Sequence, residues 1–170
     1  RGGDAKRKQR IKKQNEIFLR AKSTITNISK KEIFLIGVVL YWAEGTKEKE
    51  YRPGSPFEFS NMDSRIIQIM LLWLLRVCKI NKNMIIFNIF LHQTHKSRVE
   101  EVRMYWSRIT GFPLDNFSTV YWKTNNLKTN RSNITEKYHG VLKIKVKKSS
   151  DLVRKITGWS ERIFEKTVSK

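Results

Sequence analysis

The chain has a single cysteine, Cys78, in 170 residues. A lone thiol inside an apolar run forms no internal disulfide and founds no metal site, which fits a reducing compartment and a core position. No apolar run is long and charge-free enough to span a bilayer, and no segment reads as a signal peptide. The expected setting is therefore cytoplasmic (nucleoid-associated) or organellar, not secreted, with no membrane partner. On that expectation the Asn-x-Ser/Thr sequons at Asn27, Asn116, Asn130 and Asn133 are by-products of an Asn-rich composition. There is no glycine-rich phosphate loop, no cysteine cluster for zinc and no internal repeat. His92 and His95 stand at the end of one apolar stretch without a third ligand in register, and His139 is alone.

Acids are also scarce. Against 35 Lys and Arg there are 15 Asp and Glu, a formal net charge of +20. A field of that sign concentrates phosphate polyanions and speeds encounter with them, which makes nucleic acid the default partner class. Hydrophobic residues at 39% and aromatics at 11% are enough for one domain with a core of its own.

Residues 1–28 hold nine Lys and Arg, two acids and thin apolar spacing (Ile11, Ile17, Phe18), which predicts a basic N-terminal helix or arm. The domain proper is expected over 29–170. Ser29 and Glu32 form a capping-box pattern, and the helix it opens should run to Glu44 and stop at Gly45. "PFEFSN" alternates as a short strand, and Asp63 caps the apolar helix "SRIIQIMLLWLLRVCKI". "MIIFNIFLH" (84–92) reads as a strand buried on one face and partly covered on the other. A second capping-box pattern, Ser97 to Glu100, opens a helix over 97–110 that ends at Gly111. "FSTVYWK" (117–123) and "GVLKIKVKK" (140–148) are strands on either side of a polar loop, 125–137. Ser150 or Asp151 caps a terminal helical region expected to break near Gly158. The element order predicts an α+β fold with one antiparallel or mixed sheet.

Within "VLKIKVKK", Leu142, Ile144 and Val146 alternate with Lys143, Lys145 and Lys147. Same-face residues lie ~6.6 Å apart, close to the ~6.8 Å of two charge spacings along one DNA strand. Such a row suits a phosphate backbone, and it equally suits an exposed strand kept soluble by lysine. Lys123, Lys128, Arg131 and Lys137 add cations just upstream, and Asn125, Asn126, Asn130 and Asn133 are amides of the type that pairs with adenine edges. The aromatics Tyr105, Trp106, Trp122 and Trp159 read as core in preference to a base-stacking platform.

"LIGVVLYWAEGTKEK" (35–49) places one acid, Glu44, at the C-terminal end of an apolar helix, where the macrodipole disfavours an anion. A carboxylate there, ringed by cations, suits a divalent metal held against phosphate; a solvated Glu paired with Lys47 or Lys49 explains it as well.

"GVVLYWAEG" resembles the motif helix of the LAGLIDADG homing endonucleases, with Ala43-Glu44-Gly45 where that family has Ala, an acid and Gly. "LYWAEGTK…FSNMDSRIIQIMLLWL" further resembles a group of bacterial LAGLIDADG-like proteins that often carry an upstream helix-turn-helix. The resemblance is most specific over 37–75 and follows the element order over 30–160. It implies a saddle-shaped sheet lying in the DNA major groove, with helices packed on its other face. It also implies a Mg²⁺ or other divalent cation held by Glu44 with the Ala43 carbonyl. Lys123, Lys143, Lys145 and Lys147 would lie on its groove-facing strands; with Lys47, Lys49, Lys128 and Arg131, read from charge, they are the candidate contacts to double-stranded DNA, Lys47 and Lys123 being the options for a catalytic lysine. With one motif per chain, two acids require a homodimer and a pseudo-palindromic target. Val39 stands where the family has its helix-packing glycine, and Tyr41-Trp42 are bulkier than the family's residues. The leading expectation is a sequence-specific, Mg²⁺-dependent DNA endonuclease. The alternatives are a DNA-binding regulator with a degenerate copy of the fold and an RNA-binding or splicing helper.

Overall fold

A computed structural model describes residues 2–51, 53–124 and 138–168. The expected polar loop 125–137, with Lys128, Arg131, Lys137 and its asparagines, lies outside the described residues. The chain divides into two units, Arg1–Ile33 and Phe34–Lys170.

In the first unit the basic segment forms one helix, α1 (Gly2–Ser23), whose described side chains are exposed throughout. Its charges are spread around the helix, so no apolar stripe exists to bury. The Ser23 and Thr24 hydroxyls donate to the Arg20 and Ala21 carbonyls, closing its last turn. The Ser29–Glu32 capping box forms as expected. The Glu32 carboxylate accepts from the Ser29 N–H at 2.6 Å, and the Glu32 N–H donates to Ser29 Oγ at 3.2 Å. The helix so opened, α2, spans Lys30–Glu44 and stops at Gly45.

The second unit holds the rest of α2 and a four-stranded mixed sheet. Its strands are β1 (Glu58–Asn61), β2 (Ile85–His92), β3 (Thr119–Lys123) and β4 (Val141–Val146), in the order β1-β4-β2-β3. β4 pairs antiparallel with β1 and β2, while β3 runs parallel to β2 at the edge. Alternation along the strands sends Phe59, Phe87, Ile89, Leu91, Leu142, Ile144 and Val146 to one face, where all are buried. Three helices also bury apolar residues: α3 (Ser64–Leu72) Ile67 and Met70, α4 (Val99–Thr110) Val102 and Trp106, and α5 (Ser150–Val168) Val153 and Ile156. α2 adds Val38 and Tyr41, the latter stacked on Phe57 at 4.4 Å between centroids. Burial pushes the Tyr41 phenol up to about 12, and its hydroxyl donates to the Thr46 carbonyl at 2.6 Å.

Four details differ from the sequence expectations. The helix after Asp63, which does cap it through the Arg65 N–H, widens into a single π turn at Trp73–Val77 and ends there. The Ser97–Glu100 capping box does not form: a 3-10 stretch, Gln93–Arg98, precedes α4, and no side chain caps α4 itself. Glu100 instead pairs with Arg103 at 2.7 Å and Glu101 with Arg98 at 2.6 Å. β4 ends at Val146, so Lys147 leaves the strand and enters a turn, where its N–H donates to the Met84 carbonyl. Finally, α5 passes through Gly158 without a break.

That last difference has a simple cause. Gly158 needs no left-handed backbone, and a Cβ built on it meets nothing within 4 Å. Gly158→Ala is expected to stabilise the protein by about 0.5–1 kcal/mol through the smaller conformational entropy of the unfolded chain. A higher urea midpoint at unchanged slope would show it; a lower midpoint would mean that α5 is strained at this residue.

Candidate nucleic-acid interface

The second face of the sheet is not sealed by apolar side chains. In successive cross-strand rows it carries Glu58, Lys145 and Ile86; then Ser60, Lys143, Asn88 and Thr119; then Val141, Phe90 and Tyr121; then His92 and Lys123. Apart from His92, these side chains are exposed or half-buried. This is the face onto which alternation directs every lysine of β3 and β4.

Two of the lysines named from the sequence are engaged there. Lys143 Nζ lies 2.8 Å and Lys145 Nζ 3.4 Å from the two carboxylate oxygens of Glu58. Partial burial works against the Glu58 charge, and the hydrogen bonds and charges of the two lysines outweigh it, so its carboxyl sits below the ordinary value. Two lysines on one carboxylate leave a single net positive charge. The trio is thus a pre-ordered cationic element, less charged than the bare lysine row suggests. The pattern "PFEFSN" held the signal for it: Glu58 points away from the Phe57/Phe59 side, and an acid on such a strand seeks a cross-strand cation.

Beside this trio the segment after α2 encloses a cleft of about 390 Å³ with Lys47, Lys49, Tyr51, Glu58 and Lys145 among its walls. The fold therefore gathers three of the named cations, Lys47, Lys49 and Lys145, around one depression. Lys49 Nζ stands 5.4 Å from the centroid of the exposed Tyr51 ring. Lys123 is exposed at the far end of β3, with Nζ 5.9 Å from the Phe90 centroid. Lys147 is exposed just beyond β4, and Lys128 and Arg131 fall in the part not described.

Glu44 ends α2 in solvent, beside an equally exposed Ala43. The electrostatics of that helix end are set by Lys47, whose ammonium donates to the Trp42 and Gly45 carbonyls. This is the cation that a helix C-terminus favours, and it is supplied from three residues past Glu44. Gly45 is required sterically, since a Cβ there would stand 2.4 Å from the Tyr41 ring. Its bridge to Phe59 and the bond from the Thr46 N–H to the Glu58 carbonyl tie the end of α2 to the edge of the sheet. A magnesium ion typically takes one or two carboxylates, several waters and substrate phosphate oxygens. Glu44, which has no ion pair among the described residues, fits as one such ligand. No group of three or more His, Cys, Asp or Glu side chains among the described residues is placed to hold a metal.

Between its charged first turn and Glu44, the remaining surface of α2 is apolar. Leu35, Ile36, Val39 and Trp42 are exposed, on the side opposite the buried Gly37, Val38 and Tyr41. Of the aromatics read as core, Trp106 is fully buried and donates from Nε1 to the His139 carbonyl, Tyr105 stacks on His139, and Trp159 meets Phe34 edge-on. Trp122 is exposed under Lys96. No helix among the described residues is long and apolar enough to cross a membrane. No family model, no curated protein and no solved structure matches this chain.

Proposed function

We propose that the chain binds double-stranded DNA through the open face of its sheet and cuts it as a homodimer, each copy contributing Glu44 to a Mg²⁺-dependent centre. The observation that carries the binding part is the open face itself, where Lys123, Lys143 and Lys145 lie in a chain of net charge +20. The resemblance of "GVVLYWAEG" to the LAGLIDADG motif supports the cleavage part, together with the exposed carboxylate of Glu44. In this reading Glu44 and the Ala43 carbonyl hold the ion, and Lys47, Lys49 and Lys145 steer backbone phosphates toward the end of α2. Bound Mg²⁺ would supply charge for the scissile phosphate and a more acidic water.

One observation favours a second reading, a DNA-binding regulator that does not cut. Lys47 already satisfies the carbonyl end of α2, so Glu44 is tolerated there without any metal. A randomised duplex library incubated with Mg²⁺, and with Ca²⁺ as the non-cleaving control, separates the two. The proposal expects ends cut at one near-palindromic site by the wild type. It expects Glu44→Gln to bind the same site within about twofold while losing at least about a hundredfold in cutting, the order set by removing a group that stabilises transition-state charge. Wild-type rates in Glu44→Gln would remove Glu44 from the chemistry. Enrichment without cutting by the wild type would leave the regulator.

A further inference from the structure

The open sheet face has a feature that groove binding to a duplex does not use. Phe90 on β2 and Tyr121 on β3 are register partners, and their rings stack at 5.0 Å with 16° between planes. Lys143 Nζ lies 5.2 Å and Lys123 Nζ 5.9 Å from the Phe90 centroid, so two cations from the strands on either side converge on the pair. Among the described residues β3 is the edge strand and pairs only with β2. Tyr121, 49% exposed, therefore has Phe90 against one side of its ring and, among the described residues, no further strand beyond the other. An exposed aromatic on an edge strand is a liability that folds ordinarily blunt with charge or cover. Here the charge is drawn in beside the rings.

We infer that Tyr121, backed by Phe90, is a stacking site for an unpaired base, and that the sheet face binds single-stranded nucleic acid in addition to any duplex. A base inside a duplex has both faces covered by its neighbours and offers a protein only its groove edge. An unpaired base offers a face, and every base has one. Laid on Tyr121, it extends the Phe90–Tyr121 column, with the adjoining phosphates within reach of Lys123 and Lys143. Asn88 and Thr119, in the neighbouring row of the same face, present an amide and a hydroxyl to the base edge. The inference does not rest on the duplex-cleavage reading. It needs only the exposed ring, its backing and the two cations.

The test is anisotropy of the full chain with four labelled probes: an oligothymidine of about 12 nucleotides, the matching oligouridine, an abasic strand of the same length and a duplex. The expected result is oligothymidine or oligouridine held at least about tenfold tighter than the abasic strand, because stacking on an aromatic side chain is sequence-tolerant and substantial. Tyr121→Ala is expected to weaken the base-bearing strands about 5- to 100-fold and leave the abasic strand unchanged, while Tyr121→Trp retains binding. A preference for either base-bearing strand stands with the inference. Equal affinity for abasic and base-bearing strands in the wild type would overturn it, as would a folded Tyr121→Ala protein with unchanged affinity. If Tyr121→Ala fails to fold, the wild-type abasic comparison and the Tyr121→Trp protein still decide. Duplex affinity lost or retained bears only on the earlier proposal, so the two fail separately.

Discussion

Gly37→Ala is expected to destabilise the protein by about 3 kcal/mol or more, although alanine is the better helix former by ~1 kcal/mol. The reason lies across the helix. A Cβ on Gly37 would stand 2.0 Å from Cδ1 and 2.2 Å from Cγ and Nε1 of Trp73. Trp73 is fully buried, and its Nε1–H donates to the Phe34 carbonyl at 3.1 Å. The α2 backbone thus lies directly on the indole, and the obstacle is a rigid ring with nowhere to swing. Displacing it forfeits part of a buried tryptophan, whose complete removal costs ~3–5 kcal/mol, and orphans a buried donor worth ~1–3 kcal/mol. Against a total stability of ~5–15 kcal/mol, that is a large share. Urea unfolding of Gly37→Ala beside Gly158→Ala makes the comparison internal: the same substitution in two helices should move the midpoint in opposite directions. If Gly37→Ala proved neutral, α2 would not rest on Trp73 as closely as described. A Gly37→Ala/Trp73→Phe double variant should recover part of the loss, because the smaller ring vacates some of the space that the methyl needs.

The same glycine shows how far the sequence could be read. Local signals were legible wherever one residue decides. The Ser29–Glu32 box, the Asp63 cap, the stop at Gly45 and the end of α4 at Gly111 all formed as expected. Ser97 to Glu100 has the same spacing as Ser29 to Glu32 and did not close. There Arg98 and Arg103 compete for the carboxylates, and the His92 side chain already caps the turn at Gln93 by accepting from the Thr94 N–H. A capping pattern is only as good as its nearest rivals. Non-local features were mostly out of reach. Alternation placed the lysines of β4 on one face, but that Glu58 sits opposite them follows from a β1–β4 pairing 85 residues apart in sequence. The parallel β2–β3 pairing likewise leaves no local mark, and it is what brings Tyr121 beside Phe90. Glu44 was legible as an exception to the dipole rule; the spacing suggested an ion pair with Lys47 or Lys49, whereas Lys47 donates instead to the Trp42 and Gly45 carbonyls.

Val39→Glu is expected to convert the proposed dimer into a folded monomer and to abolish DNA cutting with it. α2 is apolar on both sides. Gly37, Val38 and Tyr41 are committed to the core, while Leu35, Ile36, Val39 and Trp42, spaced at one, four and seven residues, form an exposed stripe. A helix that is hydrophobic all round is normally buried all round, so this stripe calls for a cover. In the proposed two-fold arrangement the cover is the same stripe of a second copy, and Val39 near its middle meets its own counterpart. Two facing glutamates would then be desolvated together, at a cost of several kcal/mol. In the isolated chain Val39 is 45% exposed, so a charge there leaves the fold intact. Sedimentation velocity of both proteins, with far-UV circular dichroism as the folding control, reads the effect directly. A wild type that sediments as a monomer at tens of micromolar would sink the dimer, as would a Val39→Glu protein of unchanged mass. The substitution also separates binding from cutting. The sheet face of a Val39→Glu monomer keeps Lys123, Lys143 and Lys145, so weak, salt-sensitive binding should persist with a shallower salt slope, because one copy reaches fewer phosphates than two. Cutting should vanish, because one Glu44 is left where the reading needs a pair. A monomer that still cut would put the whole catalytic apparatus in one chain and would require a second acid to be sought there.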